Sequence, residues 1–155
     1  MEIENNDLIF ERASNMEVLS SFLCGVRELD LLIHRKTGGL REFVAANDCE
    51  AYIVFHQEEA VAVFVYSKGI LETTDGNHEA TEIDFIAVLD KYRNQKIGTR
   101  ILEVIASNSI QNGRDFLMVG AFINKRYSAI GFYEKSGFES IGERQGNILP
   151  MFKEL

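Results

Sequence analysis

Three consecutive segments constrain this chain most. "TEIDFIAVL" (81–89) has the β-branched and aromatic content of a strand. From Ile97 to Asn112, apolar residues at 97, 101, 104 and 105 follow helical spacing, and Asn112-Gly113 closes the stretch. "DFLMVGAF" (115–122) is a near-continuous apolar run, as expected of a strand buried on both faces. A strand, a helix and a strand in immediate succession make a crossover unit, which commits the chain to a mixed α/β architecture.

The remaining segments arrange themselves around that unit. "LIFERA" (8–13) reads as a first strand. Ser14 or Asn15 can cap a helix through "MEVLSSFLCG", with Gly25 as its stop. "VRELDLLIHRK" places Leu29, Leu32 and Ile33 on one helical stripe that ends at Gly38-Gly39, and "LREFVAA" adds a short helical turn. "EAYIVFH" and "EAVAVFVYS", parted at "QEE", read as an antiparallel hairpin, and "ETTDGNHEA" (72–80) as a polar loop. "RYSAIGFYEKSG" reads as a helix stopped at Gly137; "FESIGE" and "NILPMFKEL" supply two last strands. The predicted order is β-α-α-β-β-β-α-β-α-β-β, in one domain over residues 1–155.

Composition excludes several classes. The longest uncharged runs are too short to span a bilayer, and "MEIENNDLIF" has no leader character, so the cytoplasm is the expected compartment. Cys24 and Cys49 fit no metal or C-x-x-C spacing, and His34, His56 and His78 are scattered, so no metal site is expected. A net charge of -8 repels nucleic acid and anionic lipid and mildly favours amine-bearing partners.

The junction "YRNQKIGTRIL" (92–102) carries more hydrogen-bond donors than a plain turn needs. The first amides of a helix are unpaired and carry partial positive charge, so they bind phosphate. The amides of roughly Gln95 to Thr99 would lie there, with Gly98 allowing close approach, Arg93 and Lys96 adding charge, and Thr99 a hydroxyl. Neither G-x-x-x-x-G-K-[ST] nor an early G-x-G-x-x-G occurs, which excludes a P-loop nucleotidase and argues against a Rossmann dinucleotide site.

With its surroundings, "IAVLDKYRNQKIGTRIL", "AIGFYEKSGF" and the terminal "MFKEL", this junction resembles the GNAT superfamily of acyl-CoA-dependent N-acetyltransferases. The resemblance implies a GNAT-like fold with acetyl-CoA as cosubstrate. Its pyrophosphate would lie on Arg93, Asn94, Gln95, Lys96, Ile97, Gly98 and Thr99. Its pantetheine would pair with the backbone around Ile86, Ala87 and Val88, the Ile86 amide facing the thioester carbonyl, with Asn124 and Tyr133 nearby. Lys96 stands where the family's first loop glycine is usual. Either the backbone there does without a positive φ, or the lysine adopts one at about 1 kcal/mol.

The resemblance also suggests catalytic residues. Glu82 is the expected general base; strand alternation puts it on one face with Asp84, Ile86 and Val88. Tyr133 is the expected general acid, a phenol that stays protonated at neutral pH, and Phe132 and Phe138 beside it read as core. Arg126 replaces the asparagine the family usually has before this helix, with Asn124 two residues earlier.

The expected function is acetyl transfer from acetyl-CoA to a primary amine of a small molecule, peptide or protein, with a homodimer as a family-level expectation. Two alternatives come with it. "SFLCGVRELDLLIHRK" faintly resembles the start of toxins that acetylate aminoacyl-tRNA, although the acidic charge opposes tRNA binding. The altered loop glycine suggests a non-catalytic acyl-CoA-binding module.

Overall fold

The computed structural model describes residues 7–13, 19, 22, 48–123 and 128–155. The helices expected between residues 14 and 46, with Cys24, His34, Gly25, Gly38 and Gly39, lie outside the described residues apart from the helical Leu19 and Phe22. Asn124 and Arg126 also lie outside them. The described strands are β1 (Leu8–Arg12), β2 (Glu50–His56), β3 (Glu59–Thr73), β4 (Gly76–Val88), β5 (Phe116–Phe122), β6 (Glu139–Ser140) and β7 (Ile148–Glu154). They form one mixed sheet in the order β1-β2-β3-β4-β5-β7-β6. The two complete helices among the described residues are α1 (Ile97–Gln111) and α2 (Ile130–Lys135), and a single 3-10 turn covers Asp90–Tyr92.

The chain forms two compact units, Met1–Ser67 with Phe85–Ile101, and Lys68–Asp84 with Leu102–Leu155. Strands β3 and β4 and helix α1 each run through both.

In the first unit β1, β2 and β3 pair antiparallel, with a bulge between Val54 and Phe55. One face buries Ala51, Ile53, Val63, Val65 and Ala87 against Leu19, with Phe22 packed beside them. The other face carries rings: Tyr52 stacks on its cross-strand partner Phe64 at 5.1 Å, and Phe10 meets Phe64 edge-on. β-Branched and aromatic residues, buried on both faces along Val61–Ser67 of β3, are what make these segments strands.

In the second unit β4 and β5 run parallel, and β7 pairs antiparallel with β5 and β6. The crossover unit expected from sequence is therefore present. Its helix buries Ile97, Ile101, Ile105 and Ser109, a spine at steps of four residues. It ends at Gly113, whose φ is 72°, with the amides of Gly113 and Arg114 donating to the carbonyls of Ile110 and Ser109. The second helix ends the same way: Gly137 has φ 93°, and the amides of Gly137 and Phe138 donate to Glu134 and Tyr133. Each left-handed glycine satisfies carbonyls that the helix end would otherwise leave open.

The expected polar loop at 72–80 is a correction. Strand β3 continues to Thr73 and β4 begins at Gly76, so the segment is a hairpin with Thr74 and Asp75 at its turn. The Thr73 hydroxyl donates to the Gly76 carbonyl at 3.1 Å and accepts from the Asp75 amide at 3.2 Å. Residues 72–77 are exposed, so no hydrophobic alternation marks them and backbone pairing alone makes the strand. The last helix and the "FESIGE" strand are also shorter than expected, reduced to Ile130–Lys135 and Glu139–Ser140.

Candidate active site

The junction after β4 is built from its backbone. Past Val88 the chain makes the 3-10 turn and then places Asn94 and Lys96 at φ 63° each, on either side of Gln95. Helix α1 begins at Ile97, and its first intrahelical bond runs from the Arg100 amide to the Lys96 carbonyl at 3.0 Å. The first-turn amides are thus those of Ile97, Gly98 and Thr99, a narrower set than the Gln95–Thr99 expected from sequence. Left-handed residues ahead of a helix N-terminus turn successive amides inward and form an anion-binding concavity. Of the two expectations for Lys96, the positive φ is the one adopted. Asparagine at 94 tolerates that region more readily than most residue types.

The side chains follow from this backbone. Gln95 is half-buried, donates through Nε2 to the Lys91 carbonyl at 3.4 Å, and has a buried Oε1 with no hydrogen-bond partner among the described residues. Such an acceptor awaits a donor. Lys96 and Thr99 are exposed. The Arg93 guanidinium turns back, with Nε on the Val88 carbonyl at 3.3 Å and Nη1 3.1 Å from Asp90 Oδ1.

A contact that sequence reasoning missed holds the turn in place. Glu59, at the start of β3, accepts from the Tyr92 hydroxyl at 2.5 Å and lies 2.6 Å from Lys91 Nζ. The Lys91 contact, followed by the Tyr92 hydroxyl, holds the Glu59 carboxyl below the usual carboxylate range. Conversely, Glu59 pushes both Lys91 and Tyr92 up. Nothing in the "QEE" turn signals this, because the partners are distant in sequence.

In the second unit Glu82 stands exposed near the middle of β4, between Gly69 of β3 and its β5 partner Met118. The predicted alternation holds: Thr81, Ile83 and Ala87 are buried, while Glu82 is exposed and Asp84, Ile86 and Val88 are half-buried. Thr81 pins the strand from behind. Arg114 donates to the Thr81 hydroxyl at 3.1 Å, and the Ser109 hydroxyl donates to the Ile105 carbonyl at 2.7 Å. That leaves the Thr81 proton for Ser109 Oγ at 2.6 Å, so the chain runs in one direction from half-buried Arg114 through fully buried Thr81 and Ser109.

The β4–β5 pairs are Ala80↔Phe116, Thr81↔Leu117, Glu82↔Met118 and Ile83↔Val119. Strand β5 stays paired with β7 as far as Phe122↔Ile148, and β4 continues to Val88. Tyr133 is buried at 6% exposure on α2, its ring 5.1 Å from Phe132 and 5.2 Å from Phe138. Phe138 is core as expected, whereas Phe132 is half-buried. Among the described residues no three His, Cys, Asp or Glu side chains gather as metal ligands, and no helix is long and apolar enough to cross a membrane.

Comparison with known proteins bears on this arrangement. The family described as acetyltransferase (GNAT) domain matches residues 43–140. No curated protein matches the chain in sequence. Among solved structures, an acetyltransferase from Thermus thermophilus is similar with a TM-score of 0.69 at 14% identity, covering 100% of both chains. A mutant of the toxin AtaT, bound to the C-terminus of the antitoxin AtaR and to acetyl-CoA, has a TM-score of 0.66 at 21% identity over 96% of this chain and 93% of its own. A GNAT family acetyltransferase from Elizabethkingia anophelis with acetyl-CoA bound has a TM-score of 0.63 at 16% identity over 97% and 99%.

Proposed function

The chain belongs to the GNAT acetyltransferase family, and from that premise we propose that residues 1–155 act as a single catalytic domain that transfers an acetyl group from acetyl-CoA to a primary amine. The observation that carries the reading is the pair of left-handed residues, Asn94 and Lys96, flanking Gln95 immediately before α1. This backbone fits a diphosphate: it gathers the first-turn amides of Ile97, Gly98 and Thr99 directly after the exposed Lys96.

Acetyl-CoA supplies the acetyl group already activated as a thioester. Asn94 through Thr99 hold its phosphates, and the Arg93 side chain adds charge at the same loop. The backbone of Ile86, Ala87 and Val88 aligns the acyl arm, with the Ile86 amide donating to the thioester carbonyl oxygen as charge grows there. Glu82 takes the proton from the acceptor ammonium. The amine nitrogen then forms the new bond to the acetyl carbon as the carbon–sulfur bond breaks, Tyr133 gives its proton to the departing sulfur, and the surplus proton left on the nitrogen passes through water to restore the phenol. Asp84 shares the Glu82 side of β4 and strengthens attraction for a cationic acceptor. The acidic balance of the chain suits such an acceptor and opposes a tRNA.

Titration calorimetry with coenzyme A and thiol release from acetyl-CoA over an amine panel test the reading. Micromolar binding with amine-dependent release supports it. Absence of coenzyme A binding overturns it, binding without release on any amine favours a non-catalytic module, and release only with aminoacyl-tRNA favours the toxin reading.

A further inference from the structure

The side of the sheet that carries Glu82 has a chemistry of its own. Residues paired across strands point to the same face. Glu82, Met118, Phe152 and Glu139 are successive partners in one row, and Ala80, Phe116 and Glu154 form the next row on that face. The His78 ring lies 4.9 Å from Phe116, and Phe116 lies 6.4 Å from Phe152. On the opposite face Thr81, Ile83, Leu117, Val119 and Met151 are buried. Here, by contrast, Phe116, Met118 and Phe152 are half-buried and Glu82, Glu139 and Glu154 are exposed. The two rows thus present an apolar floor edged by three carboxylates, with no cation among their members.

Gly69 adds the detail that decides the use. A Cβ at this position would stand 3.4 Å from Glu82 Cβ and 3.6 Å from Met118 Sδ. The thioether of Met118 therefore leaves β5, passes Glu82 and ends over the glycine. A flexible, polarizable side chain beside a carboxylate forms an apolar wall that adapts to its ligand, and the missing side chain at 69 is what gives the thioether room to shift.

Resting on the acyl-transfer reading above, we propose that the acceptor is a primary amine on an apolar body, with its ammonium on Glu82 and its hydrocarbon on Met118 and Phe152, and that Gly69 limits the size of that body. The carboxylates match the ammonium, and the apolar floor matches the rest. A polyamine would satisfy the glutamates and leave Met118 and Phe152 against charge. Each methylene of the acceptor that finds cover is worth roughly fourfold in affinity.

The test measures thiol release from acetyl-CoA by the full chain, with butylamine, hexylamine, phenethylamine and spermidine as acceptors. The expected result is a kcat/KM that rises from butylamine to hexylamine and phenethylamine and is lowest for spermidine. Gly69→Val should cut kcat/KM for phenethylamine about tenfold or more through KM and cut it clearly less for butylamine, with coenzyme A binding within about twofold. Should that variant not fold, Gly69→Ala makes the same comparison with a smaller expected loss. Met118→Ala should weaken every apolar amine by a larger factor than it weakens spermidine. Preference for spermidine, or an equal loss on all amines in Gly69→Val, overturns the proposal while leaving amine acetylation standing. Coenzyme A binding with no release on any amine removes the acyl-transfer reading and this one with it.

Discussion

The carboxylate of Glu59, at the first position of β3, holds the ammonium of Lys91 at 2.6 Å on the turn that leads into α1. The same carboxylate accepts the Tyr92 hydroxyl, so one side chain fixes both ends of a dipeptide whose own backbone makes only the short bonds of a 3-10 turn. The His56 ring, at 7% exposure, backs Tyr92 edge-on at 6.3 Å.

Glu59→Gln is expected to weaken coenzyme A binding severalfold while leaving the amine KM unchanged, because the turn loosens and the Glu82 face does not. Titration calorimetry against amine-saturation kinetics separates the two. The pH sign follows from the shifts. Glu59 is depressed by its Lys91 contact, so its share of the clamp is present above the unfolded carboxylate range and lost as pH falls through the folded value. Lys91 is raised by Glu59, so its share is present below the unfolded lysine range and lost as pH rises through the folded value. The clamp is whole across neutral pH, and the wild-type advantage over Glu59→Gln should vanish in acid.

Lys96→Gly should leave stability within about 1 kcal/mol. Relief of the left-handed lysine gains roughly 1 kcal/mol, and the extra backbone freedom of glycine in the unfolded chain costs about 0.5–1 kcal/mol, so the two nearly cancel. Lys96→Val, β-branched at the same φ, should lower the melting temperature clearly. Coenzyme A affinity should fall in Lys96→Gly with a weaker dependence on salt, since a charge near the phosphates is gone. Thermal melts and salt-dependent titrations provide the readouts.

Glu82→Gln should lower kcat by roughly 10²-fold or more at neutral pH with coenzyme A affinity retained, as loss of a general base does. Tyr133→Phe should lower kcat less and leave the amine KM unchanged. Steady-state thiol release with both substrates varied measures this, and a Glu82→Gln variant at wild-type rate would remove the base from Glu82.

Ser109→Ala should cost about 1–3 kcal/mol of stability, because it takes the acceptor from the hydroxyl of fully buried Thr81. Denaturant unfolding gives the value. Catalysis in the folded fraction should fall too, since Thr81 holds the strand next to Glu82.

Much of the fold was readable where burial imposes a period. The strand–helix–strand unit, the stripe at 97, 101 and 105, and the outward Glu82 face all follow from alternation or helical spacing, which are local properties. Two features were not readable. The hairpin at 72–80 is solvated, so its strands carry no hydrophobic signal. The Glu59–Tyr92 contact joins residues far apart in sequence, and no local pattern encodes it.

The sequence by itself determined the crossover unit and the donor-rich junction before Ile97, because short-range propensity and spacing suffice for both. Only the tertiary structure decided that lysine takes a positive φ at 96, that Met118 reaches across Glu82 to the space Gly69 leaves, and that Glu59 clamps the turn. The last two depend on where separate strands and turns come to lie side by side, and that placement follows from packing the whole sheet rather than from any one segment.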